Sequence, residues 1–121
     1  MKTQDLANVA GRKLIHLTTR GRKTGKPHVV ELWFAAANGN VYLSHEGQET
    51  DWMKNITKDP AITFEIGGKQ FRGRGCYLQD GAEEAWVGKA ALYEKYYGKA
   101  TREIIEDWFS LSKLFIIVPT E

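Results

Sequence analysis

The sequence predicts an α+β fold: a six-stranded, mainly antiparallel β-barrel with flanking helices. Three observations carry this prediction. The turn signals Asn38-Gly39 and Gly67-Gly68 lie between segments of alternating apolar and polar residues, which is typical of β-hairpins. Helical patterns are confined to one short segment between strands and a longer stretch before the last strand. The remaining connections are short, which favours antiparallel pairing, and residues 1–121 are expected to form one domain.

Six segments have the composition of strands. They are residues 14–19, 28–36, 41–44, 61–66, 69–79 and 113–119. In the fourth, Ile62, Phe64 and Ile66 alternate with polar residues and are expected to point inward. Gly73 and Gly75 in the fifth suggest bends or bulges of a strongly coiled sheet. The last segment is apolar at consecutive positions, which predicts a central strand buried on both faces.

Three segments have helical patterns. Residues 50–60 predict a short helix that Thr50 or Asp51 caps and that Pro60 stops. Residues 82–97 predict a longer helix that ends at Gly98. Residues 101–110 predict a third. The apolar positions expected to face the barrel are Trp86, Ala90, Tyr93 and Tyr97 in the long helix, and Ile104, Ile105, Trp108 and Phe109 in the last.

Composition excludes several classes of protein. With 42% hydrophobic and 26% charged residues, the chain has the balance of an ordinary globular protein. It contains no apolar run of the roughly 18 residues that a transmembrane helix needs, and no signal-peptide core, so a cytoplasmic location is expected. The single cysteine, Cys76, excludes an internal disulfide and is expected to be a half-buried structural thiol. Three histidines without metal-ligand spacing predict no metal site.

The charges are distributed unevenly along the chain. Residues 6–30 contain six Lys or Arg and no carboxylate, although the formal net charge is only +2. Four of these cations are in or beside the turn Gly21-Arg-Lys-Thr-Gly-Lys26, which we call the basic turn. Its Arg22, Lys23 and Lys26, the hydroxyl of Thr24 and free backbone N–H groups are the groups that an anion requires. The alternative is a solvated turn that is charged only for solubility.

A second candidate site is the predicted loop at residues 44–52. Ser44, His45, Gly47 and Trp52 follow a strand directly, where the loops at a barrel mouth often carry binding groups. The neighbouring carboxylate of Glu46 is weak evidence for acid–base catalysis, because adjacent residues rarely face each other. His45 as a plain loop residue and Trp52 as a core aromatic are the alternatives.

The order of these motifs resembles the deazaflavin-dependent nitroreductase family. The basic turn, the Asn-Gly hairpin, the Asp-Trp pair before a short helix and the Asn-x4-Pro motif before the next strand recur together over residues 14–79. The C-terminal third matches only in outline. This family is part of the pyridoxamine 5'-phosphate oxidase-like group of split β-barrel flavin proteins. The resemblance therefore implies a split-barrel homodimer with a cofactor near the subunit interface.

The resemblance also implies roles for the basic turn. Lys23 and Thr24 would meet the phosphate end of the cofactor, with help from Arg22 and Lys26. Members of the family usually have an arginine just after the proline that follows the turn, and this chain has His28 there. A mostly neutral imidazole does not replace a bidentate guanidinium, so this difference implies a weaker grip on phosphate.

The loop at residues 44–52 would lie against the ring system of the cofactor. Family members have small residues and paired glycines there, whereas this chain has Ser44, His45, Glu46 and Gly47. Trp52 matches the tryptophan of the family. Members of the wider group that bind flavin mononucleotide (FMN) tend to have a lysine at that position, which favours coenzyme F-420, with FMN as the alternative.

The implied activity is transfer of a hydride from reduced coenzyme F-420 to a small acceptor such as a quinone, a nitro compound or an enone. Ser44 and His45 are the candidate catalytic hydrogen-bond donors. One alternative is an FMN-dependent reductase or oxidase. Another is a split barrel that binds flavin, haem or lipid without catalysis. Binding of single-stranded nucleic acid is disfavoured by the small net charge and the acidic C-terminal third.

Overall fold

The computed structural model describes residues 3–120, which form an antiparallel sheet of seven strands with four helices. The strands are β1 (Leu14–Arg20), β2 (Pro27–Trp33), β3 (Ala35–Ala37), β4 (Asn40–Glu46), β5 (Ala61–Ile66), β6 (Lys69–Leu78) and β7 (Ser112–Thr120). The helices are α1 (Thr3–Val9), α2 (Asp51–Lys58), α3 (Glu83–Tyr97) and α4 (Arg102–Phe109). The strand order is β2-β1-β5-β6-β7-β4-β3, so β2 and β3 are the two edges. The predicted α+β class is confirmed, with seven strands in place of six.

The seventh strand exists because the strand predicted at residues 28–36 is interrupted at Phe34. The N–H of Phe34 donates to the hydroxyl of Tyr96 at 3.0 Å, and its carbonyl accepts from Lys95 Nζ at 2.9 Å. Two side chains of α3 thus take the backbone groups that a continuous strand would offer to its neighbour.

The two predicted hairpins are confirmed. Asn38 and Gly39 have φ values of 54° and 79° and join the paired residues Ala37 and Asn40. Gly67 and Gly68, with φ values of 58° and 86°, join β5 to β6 in the same way. Positive φ at both central residues is the geometry of the type I′ turn, which Asn-Gly and Gly-Gly favour.

The core lies on both faces of β7, as predicted for a central strand. Phe115 and Ile117 join the barrel interior, where the predicted inward residues of β5 are also buried. Leu114 and Ile116 pack on the other face beneath α3 and α4. The sheet therefore has an inner face towards the barrel and an outer face that the helices partly cover.

The predicted bulges at Gly73 and Gly75 are wrong, because the pairing of β6 with β7 continues through both residues. The glycines instead allow close packing. A Cβ at Gly73 would lie 2.7 Å from Cγ2 of Ile117, and one at Gly75 would lie 3.1 Å from Cγ2 of Ile56. No larger residue fits at Gly73 without displacing the neighbouring strand.

Helix α2 begins after Thr50 and ends before Pro60, as predicted. The predicted inward line of α3 is wrong. Its buried residues are Ala85, Gly88, Lys89 and Leu92, whereas Tyr97 is 56% exposed. Gly88 brings the helix so close to the sheet that the small residues, and not the aromatic ones, form the contact face.

The remaining helices differ from prediction in smaller ways. In α4, Ile105 and Phe109 are buried, but Ile104 and Trp108 are exposed. Helix α1 was not predicted. None of the helices in residues 3–120 is long and apolar enough to cross a membrane.

The expectation of a half-buried thiol is also wrong, because Cys76 is exposed on the outer face of β6.

Candidate anion-binding site

The basic turn connects β1 to β2 and is closed by its own backbone. The N–H of Gly21 donates to the carbonyl of Lys26 at 2.8 Å, and the N–H of Gly25 donates to the carbonyl of Gly21 at 2.7 Å. Gly25 has a φ of 74°, in the left-handed region that glycine adopts without strain. The hydroxyl of Thr24 accepts from the N–H of Lys26 at 3.2 Å. The glycines of the motif therefore serve the shape of the turn.

Helix α2 holds this turn through Asn55. Its Oδ1 accepts from the backbone N–H of Arg22 at 3.1 Å and from the guanidinium of Arg22 at 2.9 Å. Its amide nitrogen donates to the hydroxyl of Thr19 at 3.0 Å. The guanidinium also pairs with the carboxylate of Asp51 at 3.2 Å. The turn, the end of β1 and the first part of α2 therefore form one hydrogen-bonded unit.

Two N–H groups of the turn remain available. Those of Gly21, Arg22, Gly25 and Lys26 are used as described above. Within the described residues 3–120, the backbone N–H groups of Lys23 and Thr24 have no acceptor. Consecutive free N–H groups in a turn form a concave donor site for anions.

These groups border a cavity of about 200 Å³ between the turn and α2. Its lining consists of residues of the turn, of β2 and of α2: Gly21, Arg22, Lys23, Thr24, His28, Asp51 and Asn55. The volume is below the roughly 300–1,000 Å³ typical of pockets that enclose a whole ligand. The site therefore fits one small anionic group, such as a phosphate, whose remaining substituents would extend outside the cavity.

The structure thus brings together four of the predicted binding residues, Arg22, Lys23, Thr24 and His28. Lys26 is exposed in the same turn but is not part of the cavity lining. Trp52 is only 3% exposed, and its ring contacts that of Phe115 edge-on with the centroids 5.2 Å apart. Trp52 is therefore a core residue in this structure, as its alternative interpretation held.

The prediction that Ser44 and His45 lie in a loop is wrong, because β4 continues through Glu46. These residues keep pairing with β7, opposite Leu114 and Lys113 respectively. Side chains alternate along a strand, so the two point to opposite faces of the sheet. Ser44 shares the outer face with Leu114, and His45 shares the inner face with Lys113.

The predicted loop begins only at Gly47. This residue is exposed, has a φ of 91° and donates its N–H to the carbonyl of Leu111 at 3.1 Å.

In the part of the chain that the structure describes, no group of three or more His, Cys, Asp or Glu residues is arranged to hold a metal ion.

Sequence reasoning missed the residues that hold the turn. Asn55 is 2% exposed and Thr19 is 1% exposed, and neither belongs to a motif with a known anion-binding role. The only signal was the Asn-x4-Pro spacing, which contains Asn55 but does not reveal its partner 33 residues earlier in the chain.

Comparisons with known proteins show the family and the fold of the chain. Residues 3–105 match the family model described as F420H(2)-dependent quinone reductase. Among curated protein sequences, none matches the chain. A conserved hypothetical protein of Mycobacterium tuberculosis has the same fold, with a TM-score of 0.78 and 21% identity over 100% of this chain and 82% of that protein.

Two further solved structures share the fold. One is an F420-H2 dependent reductase, with a TM-score of 0.69 and 23% identity over 88% of this chain and 94% of that protein. Another, described as a domain-swapped dimer, has a TM-score of 0.69 and 21% identity over 88% of this chain and 80% of its own. Because the family model covers most of the sequence, the chain belongs to the F420H(2)-dependent quinone reductase family and is a coenzyme F-420-dependent oxidoreductase.

Proposed function

We propose that this enzyme transfers a hydride from reduced coenzyme F-420 to a small acceptor, such as a quinone, a nitro compound or an activated enone, with the cofactor phosphate at the basic turn. The family match supports the reaction class. The observation that carries the assignment of the site is the pair of free N–H groups at Lys23 and Thr24, beside a lysine in a cavity of phosphate size.

The residues of the turn suit a phosphate. The ammonium of Lys23 and the two N–H groups supply charge and direction, and hydrogen bonds to an ionised acceptor are about twice as strong as neutral ones. Lys26 and His28 add donors at the rim of the site. Arg22 adds positive potential to the lining, and two of its guanidinium donors are directed to Asn55 and Asp51.

The bound cofactor supplies the hydride, and a quinone that accepts it also takes up a proton to become a hydroquinone. We assign the candidate hydrogen-bond donors for that acceptor to the end of β4. Ser44 and His45 are both half-buried there and face opposite sides, so replacing each with alanine tests them separately. The variant that lowers turnover more than cofactor affinity identifies the donor. Unchanged turnover in both variants would remove them from the mechanism.

We assign Gly47 and Trp52 to the surroundings of the ring system. Gly47 carries no side chain and lies at the exposed start of the loop, so backbone can approach a planar ligand closely. Trp52 contributes from the core as a fixed wall beneath it. Trp52→Phe, which keeps this core position aromatic, tests whether the position selects the cofactor, and an unchanged preference between F-420 and FMN would refute that role.

We further propose that the enzyme is a homodimer, as the family resemblance implies and as is consistent with the relative described as a dimer. Light scattering coupled to size-exclusion chromatography measures the mass directly. A species of twice 13.7 kDa supports the proposal, and a monomer at assay concentrations contradicts it.

A parallel titration with coenzyme F-420 and FMN, followed by cofactor fluorescence, tests the central proposal. Preference for F-420 is expected, together with anaerobic reduction of a simple quinone such as menadione. Lys23→Met should weaken binding by roughly tenfold, because a charge-assisted hydrogen bond to the phosphate is lost. Lys54→Met removes an exposed lysine from α2 and is the matched control. Binding of neither cofactor would leave the basic turn as a solvated turn.

A further inference from the structure

We propose that Asn55 is a positioning residue of the anion site: it fixes the backbone of the basic turn and engages the guanidinium of Arg22, so that Lys23 and Thr24 are presented to the ligand. This inference rests on the proposed function, because it concerns how the same site holds the cofactor phosphate. Asn55 is part of the cavity lining, but its side-chain hydrogen bonds go to the turn and to β1, so the proposed effect on the ligand acts through the turn.

The orientation of the Asn55 amide follows from its partners. Both the backbone N–H and the guanidinium of Arg22 can only donate, so the oxygen of Asn55 must face them. Its nitrogen then faces the hydroxyl of Thr19, which accepts. Asn55 and Thr19 are almost completely buried, so water cannot replace a lost partner without rearrangement.

This arrangement acts on the ligand through Arg22. The hydrogen bond from its backbone N–H fixes the chain directly before the free N–H groups of Lys23 and Thr24. The two side-chain hydrogen bonds of Arg22 consume donors that would otherwise point to solvent or ligand. A truncated Asn55 releases both constraints, and the backbone that carries the two free N–H groups is then no longer held in place.

The apolar packing of α2 is supplied by residues other than Asn55. Its neighbours Met53 and Ile56 are completely buried in the barrel core and hold the helix against the sheet. A polar residue at this position has no apolar contact role that the structure requires. The buried amide is therefore explained by the turn that it holds.

The test compares two ligands, coenzyme F-420 and its deazaflavin chromophore without the phosphate. Asn55→Ala should weaken binding of F-420 by about tenfold while binding of the phosphate-free chromophore changes less than about twofold. Thr19→Val removes the acceptor of the buried Asn55 amide nitrogen and should reduce F-420 affinity by a smaller factor in the same direction. Thr57→Ala, on the same helix without contact to the turn, is the control.

The outcomes separate the two proposals. A merely structural role would lower the melting temperature but leave the ratio of the two affinities unchanged in Asn55→Ala, which would overturn the inference alone. If wild-type protein does not bind F-420, the proposed function fails and the inference fails with it. If Asn55→Ala does not fold, Thr19→Val carries the same test: an unchanged affinity ratio overturns the inference, and a reduced preference for F-420 supports it.

Discussion

Replacing Gly88 with alanine should destabilise the fold, although alanine is the better helix former. Gly88 lies in α3 where the helix crosses β4. A Cβ there would lie 2.5 Å from Cδ1 of the Tyr42 ring and 3.0 Å from Cδ2 of Leu114. Tyr42 is 1% exposed and Leu114 is 2% exposed, so neither side chain has free space to move into.

Two opposing effects decide the magnitude. Alanine gains about 1 kcal/mol over glycine in a helix interior. Overpacking a close-packed core costs about 1–3 kcal/mol, and a contact of 2.5 Å with a buried ring requires the helix to shift, which places this site near the upper end. The net loss is about 1–2 kcal/mol, or a melting temperature lower by roughly 4–8 °C in a domain of this size.

Urea unfolding of wild type and Gly88→Ala measures this difference, with the same slope expected for both proteins. Ala90→Gly in the same helix is the control for helix propensity and should lower the free energy of unfolding by about 1 kcal/mol. In a Tyr42→Val background the ring is absent, so Gly88→Ala should be neutral or stabilising there. A higher stability of Gly88→Ala in the wild-type background would refute the reasoning, because helix propensity would then outweigh the contact.

Four titratable groups, two of them a hydrogen-bonded pair, give further predictions. Hydrogen bonding to Glu65 raises the pKa of His16 above 6.5, and hydrogen bonds from Gly68 and His16 lower the pKa of Glu65 below 4.5. The His16–Glu65 pair therefore stabilises the fold most between about pH 4.5 and 6.5, and this stabilisation declines on either side. The free energy of unfolding of His16→Asn should consequently depend less on pH than that of the wild type. Burial lowers the pKa of Lys95 to about 8. Its contribution to the free energy of unfolding therefore increases as the pH rises from there towards 10.5. Lys95→Met should abolish that increase, as measured by urea unfolding. Lys89 is buried between the carboxylates of Asp80 and Glu106, which water still reaches. Lys89→Met should therefore lower the free energy of unfolding by about 1–2 kcal/mol, as measured by thermal unfolding. An unchanged stability would mean that both carboxylates rehydrate fully.

Local patterns predicted the hairpins and the central strand because the signals for these features lie within a few residues of each other. The Asn-Gly and Gly-Gly turns require only their own backbone preferences. The end of β2 at Trp33 depends on Tyr96, 62 residues after Phe34. The contact face of α3 depends on how closely Gly88 approaches Tyr42. Local periodicity encodes neither of these contacts, so the end of β2 and the contact face of α3 were predicted wrongly.

The candidate site shows the same division. The basic turn was identified from composition, and the structure places Lys23 and Thr24 with unused N–H groups as that interpretation requires. The extent of β4 was not predicted, because its last residues pair with β7, more than 65 residues away in the sequence. Ser44 and His45 therefore lie on opposite faces of a strand and do not act together from one loop.

The pairing of charges explains why the turn suits a single anion and not an extended polyanion. Arg20 lies 3.6 Å from the carboxylate of Asp59, and Arg22 is bound to Asp51, so two of the four cations counted from the sequence are already partnered. Among residues 3–120, Lys23 and Lys26 form no ion pair with a carboxylate. Two cations without a carboxylate partner and two adjacent free N–H groups suit one phosphate. Binding of F-420 should therefore depend on salt weakly, with about one or two counterions displaced, and a much steeper dependence would indicate contacts beyond the turn.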